Sequence, residues 1–148
     1  MPTPDRLAEP ALPERATQQQ GGAHAFWLYC LPCHGDRGQG LTVEFRQLYP
    51  EDHQDCWVSG CHGKRPYENG WTLPDRVPAL VGPGALAAFQ TAADLQAYLR
   101  AVMPFQAPGT LDDETYWQIT AQLLWANGAV LPEEELTSRN AASVLIHP

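Results

Sequence analysis

Basic residues are scarce in this chain of 148 residues. Lysine and arginine together number 9 against 17 aspartates and glutamates, Lys64 is the only lysine, and the formal net charge is −8. Nucleic acids and anionic membrane surfaces require a positive protein face, so the charge balance argues against both as partners. The apolar runs fall far short of the ~20 residues that span a bilayer, so we expect a soluble chain. Charged residues make up only 18% and apolar residues 44%, which excludes wholesale disorder.

The two ends of the chain differ in composition from its middle. Residues 1–20 hold four prolines and no aromatic residue, which predicts an extended leader or tether. They lack the basic and apolar segments of a secretory signal. One compact domain is predicted over 21–130, because the length suits a single core. Residues 131–148 form an acidic tail with three apolar residues that could pack back onto the body, Leu136, Val144 and Ile146.

Helical patterns occur in three places and leave a long irregular segment between them. A short helix is predicted over 22–33, a second from Thr91 to Pro104 and a third over 112–128, the second and third with acidic residues near their starts. Residues 35–84 are instead dense in glycine and proline and poor in periodicity. Such a long loop region in a small domain predicts that something other than side chains fills the centre.

Cys30, Cys33 and His34 form a C-x-x-C-H sequence, the attachment pattern of a c-type haem. Two thiols about one helical turn apart can reach the two vinyl groups on one edge of the porphyrin. The following imidazole then projects to the iron. The cysteine pair alone would also suit a redox dithiol or half of a zinc site, and the adjacent histidine is what favours haem.

Further elements follow this site in a recognisable order. They are Gly22 and Phe26 before Cys30, Gly35, Gly38 and Gly40 after His34, the segment 78–82, the helix from Leu95 to Met103-Pro104, and the segment 108–128. In this order they resemble the class I cytochrome c family over roughly residues 21–128. The resemblance implies an all-α fold with three main helices around a covalent haem, and an inserted segment at about 41–76. It also implies that the Pro78 carbonyl accepts the Nδ1 hydrogen of His34, and that Gly22 lets the last helix cross closely.

Met103 is the only methionine apart from the initiator. It follows an amphipathic helix and precedes Pro104, so that a rigid turn fixes its position. Methionine is most often core filler, but a single one at this place is better explained as the sixth iron ligand, opposite His34. A thioether ligand stabilises ferrous iron and raises the potential relative to bis-histidine ligation.

A second cysteine pair has four residues between its thiols and is also followed by histidine, as Cys56-x4-Cys61-His62. Some multihaem cytochromes attach haem through C-x4-C-H, which would make His62 an iron ligand and leave His53 or His24, or no residue, for the sixth position. The alternative is a Cys56–Cys61 disulfide that fastens the inserted loop, as is natural in an oxidising compartment. The sequence leaves both interpretations open.

We therefore predict one-electron transfer by a soluble carrier or by a haem subunit or domain of a larger redox complex, and no catalysis by the chain itself. A neutral to apolar face around Leu31, Pro32 and Pro104-Phe105 is expected to contact redox protein partners. Covalent haem attachment requires an oxidising extracytoplasmic space, so we expect the protein in the periplasm or on the outer face of a membrane. A lost or separate anchor could join it to a membrane complex.

Two functions of other classes compete with this prediction. A second haem with an open coordination position could give haem-enzyme activity, which would also need an acid–base residue above the iron. More remotely, the two cysteine pairs could form a zinc-binding module with four thiolate ligands. That interpretation leaves both adjacent histidines and Met103 without a role.

Overall fold

The computed structural model describes residues 4–148, and in that range the fold is all-α, as predicted. The first three residues of the predicted leader lie outside it. The α-helices are α1 (Gln18–Tyr29), α2 (Leu31–His34), α3 (Val43–Arg46), α4 (Ala92–Val102) and α5 (Asp113–Ala126). Single 3-10 turns occur at Glu51–His53 and Ala141–Ser143. The pairing of Thr91 with Leu145 is an isolated antiparallel bridge and not part of a sheet.

The crossing of α1 and α5 is the main helix contact of the fold. A Cβ atom on Gly22 would overlap the main-chain carbonyl of Gln118 in α5, so only glycine permits this close approach. The α1 helix begins at Gln18, before the expected start at 22 and within the predicted leader, because Thr17 and Gln20 form a capping box. The helix therefore begins three residues before the predicted domain boundary at 20/21.

Helices α4 and α5 match their predicted positions. Thr91 and Asp94 form a capping box at the start of α4, and Met103 is its C-cap, directly before Pro104. Asp112 caps α5 by accepting a hydrogen bond of 2.8 Å from the Thr115 N–H. Both helices turn an apolar face to the core, with these buried side chains: Leu95, Leu99, Tyr116, Ile119, Leu123 and Leu124.

Both ends of the described chain pack against the helical body. In the predicted leader, the Arg6 guanidinium donates to both carboxylate oxygens of Asp36, and the Leu7 carbonyl accepts a bond of 2.9 Å from Trp27 Nε1. In the tail, Leu136 is fully buried, and its main-chain N–H and carbonyl both bond the Gln18 side chain. Val144 and Ile146 are buried as well, so the apolar residues of the tail do pack back.

The inserted segment 41–76 contains α3 and the first 3-10 turn and consists otherwise of turns, bends and irregular chain. Three apolar side chains of this segment are buried in the core: Leu41, Phe45 and Leu73. Across residues 4–148, none of the helices combines the length and the apolar character that crossing a bilayer requires.

Candidate cofactor site

A cavity of about 760 Å³, part of it open to solvent, is lined by residues of α1, α2, α4 and α5 and of the loops 73–80 and 103–106. Its walls include apolar side chains from several elements, Leu73, Val77, Leu80, Leu99, Ile119 and Leu123. The four residues predicted to hold the first haem also line it: Cys30, Cys33, His34 and Met103.

The junction of α1 and α2 positions the two thiols. The Cys30 N–H still belongs to α1, since it donates to the Phe26 carbonyl at 2.8 Å. The Cys30 carbonyl then accepts from the N–H groups of Cys33 at 3.2 Å and His34 at 2.9 Å, which closes one turn between the thiols. A single helical turn therefore presents Cys30, Cys33 and His34 to one cavity.

Burial keeps both thiols of this turn protonated. It raises the pKa of Cys30 to about 12, and the neighbouring Cys33 adds to the rise. The pKa of Cys33 is raised as well, chiefly by burial. A redox dithiol works through a thiolate of lowered pKa. The environment of this pair therefore does not favour the dithiol alternative.

The imidazole of His34 is buried, with 6% of the residue exposed, and its orientation is fixed. Its Nδ1 donates to the Pro78 carbonyl at 3.0 Å, the hydrogen bond that the family resemblance implies. Because a carbonyl can only accept, Nδ1 carries the proton and the Nε2 lone pair stays free. Burial lowers the pKa of His34, more than offsetting the opposite effect of the Pro78 bond. A neutral imidazole with one ring nitrogen anchored is the form that binds metals.

The Pro78 segment is itself fastened from two sides. Its neighbours Leu80 and Val81 donate main-chain bonds of 2.7 and 3.1 Å to the Gly38 carbonyl, in the loop after His34. The Asn127 side chain at the end of α5 donates to the Leu80 carbonyl at 2.9 Å. The sequence predicted only a helix over 112–128 here, so the role of Asn127 in holding this segment was missed. A lone asparagine before a glycine carries no signal of a distant partner.

Met103 is held through its main chain at the end of α4. Its N–H donates to the Leu99 carbonyl at 2.8 Å, and its carbonyl accepts a bond of 2.7 Å from the Tyr116 hydroxyl. The same hydroxyl accepts from the Leu111 N–H at 3.4 Å. Tyr116 is 1% exposed. Through these two bonds its hydroxyl links both ends of the loop between Met103 and Leu111 to α5. Sequence reasoning missed this role, since Tyr116 only fits the apolar face of a helix.

The expected contact face around this site needs correction. Leu31 and Pro104 are buried and cannot touch a partner, whereas Pro32 is exposed. Tyr29 and Phe105 line the cavity and are 42% and 46% exposed, so their aromatic rings form the accessible apolar surface at its edge.

The second cysteine pair lies outside this cavity. Cys56 is half-buried, Cys61 is exposed, and all four cysteines are free thiols in the structure. The His62 Nδ1 donates to the Trp71 carbonyl at 3.1 Å. Two histidines were considered for the sixth iron position of a second haem. Both make other contacts, His53 with Asp52 and His24 with Glu9.

A tetrahedral zinc site would require the two cysteine pairs to converge. Within residues 4–148, no three histidine, cysteine, aspartate or glutamate side chains are grouped closely enough to hold a metal ion. The four-cysteine zinc alternative therefore lacks the geometry that it needs.

The fold is similar to part of a chain in the crystal structure of the sulfane dehydrogenase SoxCD from Paracoccus pantotrophus. The match has a TM-score of 0.51 and 24% sequence identity, and it covers 86% of this chain. It covers 52% of the SoxCD chain, so this protein spans about half of that length. No family model and no curated protein matches the sequence. At this identity the likeness concerns the fold.

Proposed function

We propose that this protein is a class I c-type cytochrome that carries single electrons. Cys30 and Cys33 bind the haem through thioethers, and the iron ligands are His34 and Met103. One observation carries the proposal: both thiols, the anchored imidazole and the single internal methionine line the same apolar cavity.

The residues of the cavity fit a haem in four respects. Its apolar walls suit the faces of a porphyrin. The two thiols are presented to the cavity from one helical turn, where they are available to form thioethers with the two vinyl groups of a porphyrin. The free Nε2 of His34 offers the iron a neutral nitrogen, and the Met103 thioether offers a soft sulfur.

A haem bound here supplies a one-electron couple between ferric and ferrous iron. Pro78 orients His34 and increases the basicity of its Nε2 by accepting the Nδ1 hydrogen. Tyr116 keeps Met103 in place through its main-chain carbonyl. If the His34 imidazole and the Met103 thioether both hold the iron, a bound haem would offer no position to a substrate, and the chain would transfer electrons without catalysing a reaction.

Partner proteins dock at the exposed aromatic edge of the cavity, formed by Tyr29 and Phe105. Contacts between apolar groups are weakly screened by salt, so the transfer rate depends little on ionic strength. The similarity in fold to a chain of SoxCD, a dehydrogenase by name, supports a place in a larger redox complex. Attachment of haem to thiols places the protein in an extracytoplasmic compartment.

Acid-acetone extraction and near-infrared spectroscopy of the purified holoprotein test this proposal. The pigment is expected to stay with the polypeptide, and the oxidised protein to show a methionine-to-iron charge-transfer band. Met103→His is the matched control, since it keeps two axial ligands and should abolish only that band. Pigment that is fully extracted would overturn covalent attachment, and a wild-type protein without the band would overturn Met103 as ligand.

A further inference from the structure

The second cysteine site repeats the main-chain hydrogen bond of the first, although two more residues separate its thiols. The His34 N–H donates to the Cys30 carbonyl at 2.9 Å, and the His62 N–H donates to the Cys56 carbonyl at 3.1 Å. In both sites the histidine is therefore folded back onto the first cysteine of its pair. The loop at the second site absorbs the additional residues.

The loop between Cys56 and Cys61 is closed by several main-chain bonds. The Val58 carbonyl accepts from the N–H groups of Cys61 at 3.0 Å and of Gly63 at 3.3 Å. A Cβ atom on Gly63 would overlap the Trp57 carbonyl, so the turn requires glycine after the histidine. These main-chain bonds close a compact turn that holds the two cysteines near each other.

The imidazole of His62 is anchored in the same manner as that of His34. Its Nδ1 donates to the Trp71 carbonyl at 3.1 Å, against 3.0 Å from His34 to Pro78. The Nε2 lone pair of His62 is thereby left free. The Leu73 N–H donates to the His62 carbonyl at 2.8 Å, which holds the Trp71 segment beside the histidine. An anchored Nδ1 and a free Nε2 are typical of metal-ligating histidines.

The surroundings of His62 are aromatic and include an unpaired donor. Its ring lies 4.4 Å from that of Trp71 and 5.4 Å from that of Tyr67, measured between centroids. The Trp71 indole N–H is buried and has no hydrogen-bond partner among the described residues. Val58 and Tyr67 are each 47% exposed, so an apolar surface is available next to the thiols.

A disulfide between Cys56 and Cys61 would use the two thiols only. It gives no reason for the hydrogen bond that orients His62, for its aromatic neighbours or for the repeated bond to the first cysteine. A ligand that engages the thiols and the imidazole together accounts for all of these features.

We propose that Cys56, Cys61 and His62 form a second covalent haem site, beyond the single site that the proposed function requires. Each thiol adds across one vinyl group: a sulfur–carbon bond forms, the thiol hydrogen passes to the terminal vinyl carbon, and neither an oxidant nor a leaving group is involved. The Nε2 of His62 binds the iron. This haem would lie in the inserted segment, outside the cavity of the first site.

Intact mass under denaturing conditions tests the proposal on the full chain, exported by a host that matures c-type cytochromes. The wild-type mass is expected to equal that of the polypeptide plus two haems, with no hydrogens lost. Cys56→Ser/Cys61→Ser should carry one haem and keep the methionine-to-iron band of the first site. A pyridine haemochrome assay, set against protein mass, should give two haems per chain for the wild type and one for the double variant.

Two other outcomes would overturn the second site while leaving the proposed function intact. One is a wild-type mass with one haem and two hydrogens missing, the signature of a Cys56–Cys61 disulfide. The other is one haem and two thiols that react with an alkylating reagent. A chain without any covalent haem would overturn the proposed function as well, so the two failures are distinguishable.

Discussion

The two cysteine sites share their local hydrogen bonds and differ in what surrounds them. His34 and His62 each donate Nδ1 to a downstream carbonyl, at 3.0 and 3.1 Å. The first site, however, belongs to the contact between helices and opens into the apolar cavity, whereas the second lies in turns of the insert, with Cys61 exposed. The two sites therefore share the bonds that orient their histidines and differ in burial, which is among the factors that would set the potential of a haem bound there.

The largest expected effect comes from removing the thiols of one site at a time. Cys30→Ser/Cys33→Ser should lose the first haem and most of the helical structure, because the apolar cavity between the helices is left unfilled. Cys56→Ser/Cys61→Ser, in the exposed insert, should keep the helices. Far-UV circular dichroism and thermal melting of both double variants measure the difference. Equal losses would contradict the contrast between the sites.

A second contrast concerns the helix that carries the first site. Gly22→Ala would drive a Cβ into the Gln118 main-chain carbonyl, and we expect it to destabilise the protein by about 1–3 kcal/mol or more, as overpacking does. Gly21→Ala is the matched control, since its Cβ would meet only the flexible end of the Gln118 side chain. Denaturant unfolding measures both. A Gly22→Ala variant as stable as Gly21→Ala would show that α1 and α5 cross less closely.

A smaller effect is expected at the methionine end of the first site. Tyr116→Phe removes the hydroxyl that bonds the Met103 carbonyl at 2.7 Å, a contribution of about 0.5–1.5 kcal/mol. Added imidazole should therefore displace Met103 at a concentration up to about tenfold lower, as followed by the near-infrared band. Tyr98→Phe, on the exposed side of α4, is the control and should leave the titration unchanged. An unchanged titration in Tyr116→Phe would remove Tyr116 as a positioning residue.

The sequence could predict those features that depend on interactions between residues close together in the chain. Caps and apolar periodicity are local, and they placed α4 and α5 correctly. The start of α1 was missed because a run of glutamines has no apolar periodicity, although Thr17 and Gln20 form the capping box. The roles of Tyr116 and Asn127 depend on contacts with residues far along the chain, which no local pattern encodes. The same holds for the Trp71 carbonyl at the second site, where neither cysteine spacing nor the histidine indicates the acceptor.

The smallest expected effect is a pH dependence of stability. It concerns only the helices of the first site. Hydrogen bonds from Thr115, from its side chain and then its main-chain N–H, hold the pKa of Asp112 below its usual range. The stabilisation by this cap is therefore complete above the unfolded-state pKa of about 4 and is lost as the pH falls through the lower folded-state value.

The variant Asp112→Asn separates this cap from other acid effects, because asparagine caps a helix without titrating. Its melting temperature should fall less than that of the wild type as the pH is lowered below about 4. Glu114→Gln removes a charge from the same turn of α5 but leaves the cap in place, and it serves as the control for the loss of charge alone. The spectrum of a haem at His62 should respond equally in all three proteins, because that site lies in the insert and not on α5. Parallel acid limbs of Asp112→Asn and the wild type would mean that Asp112 contributes nothing to the acid sensitivity of α5.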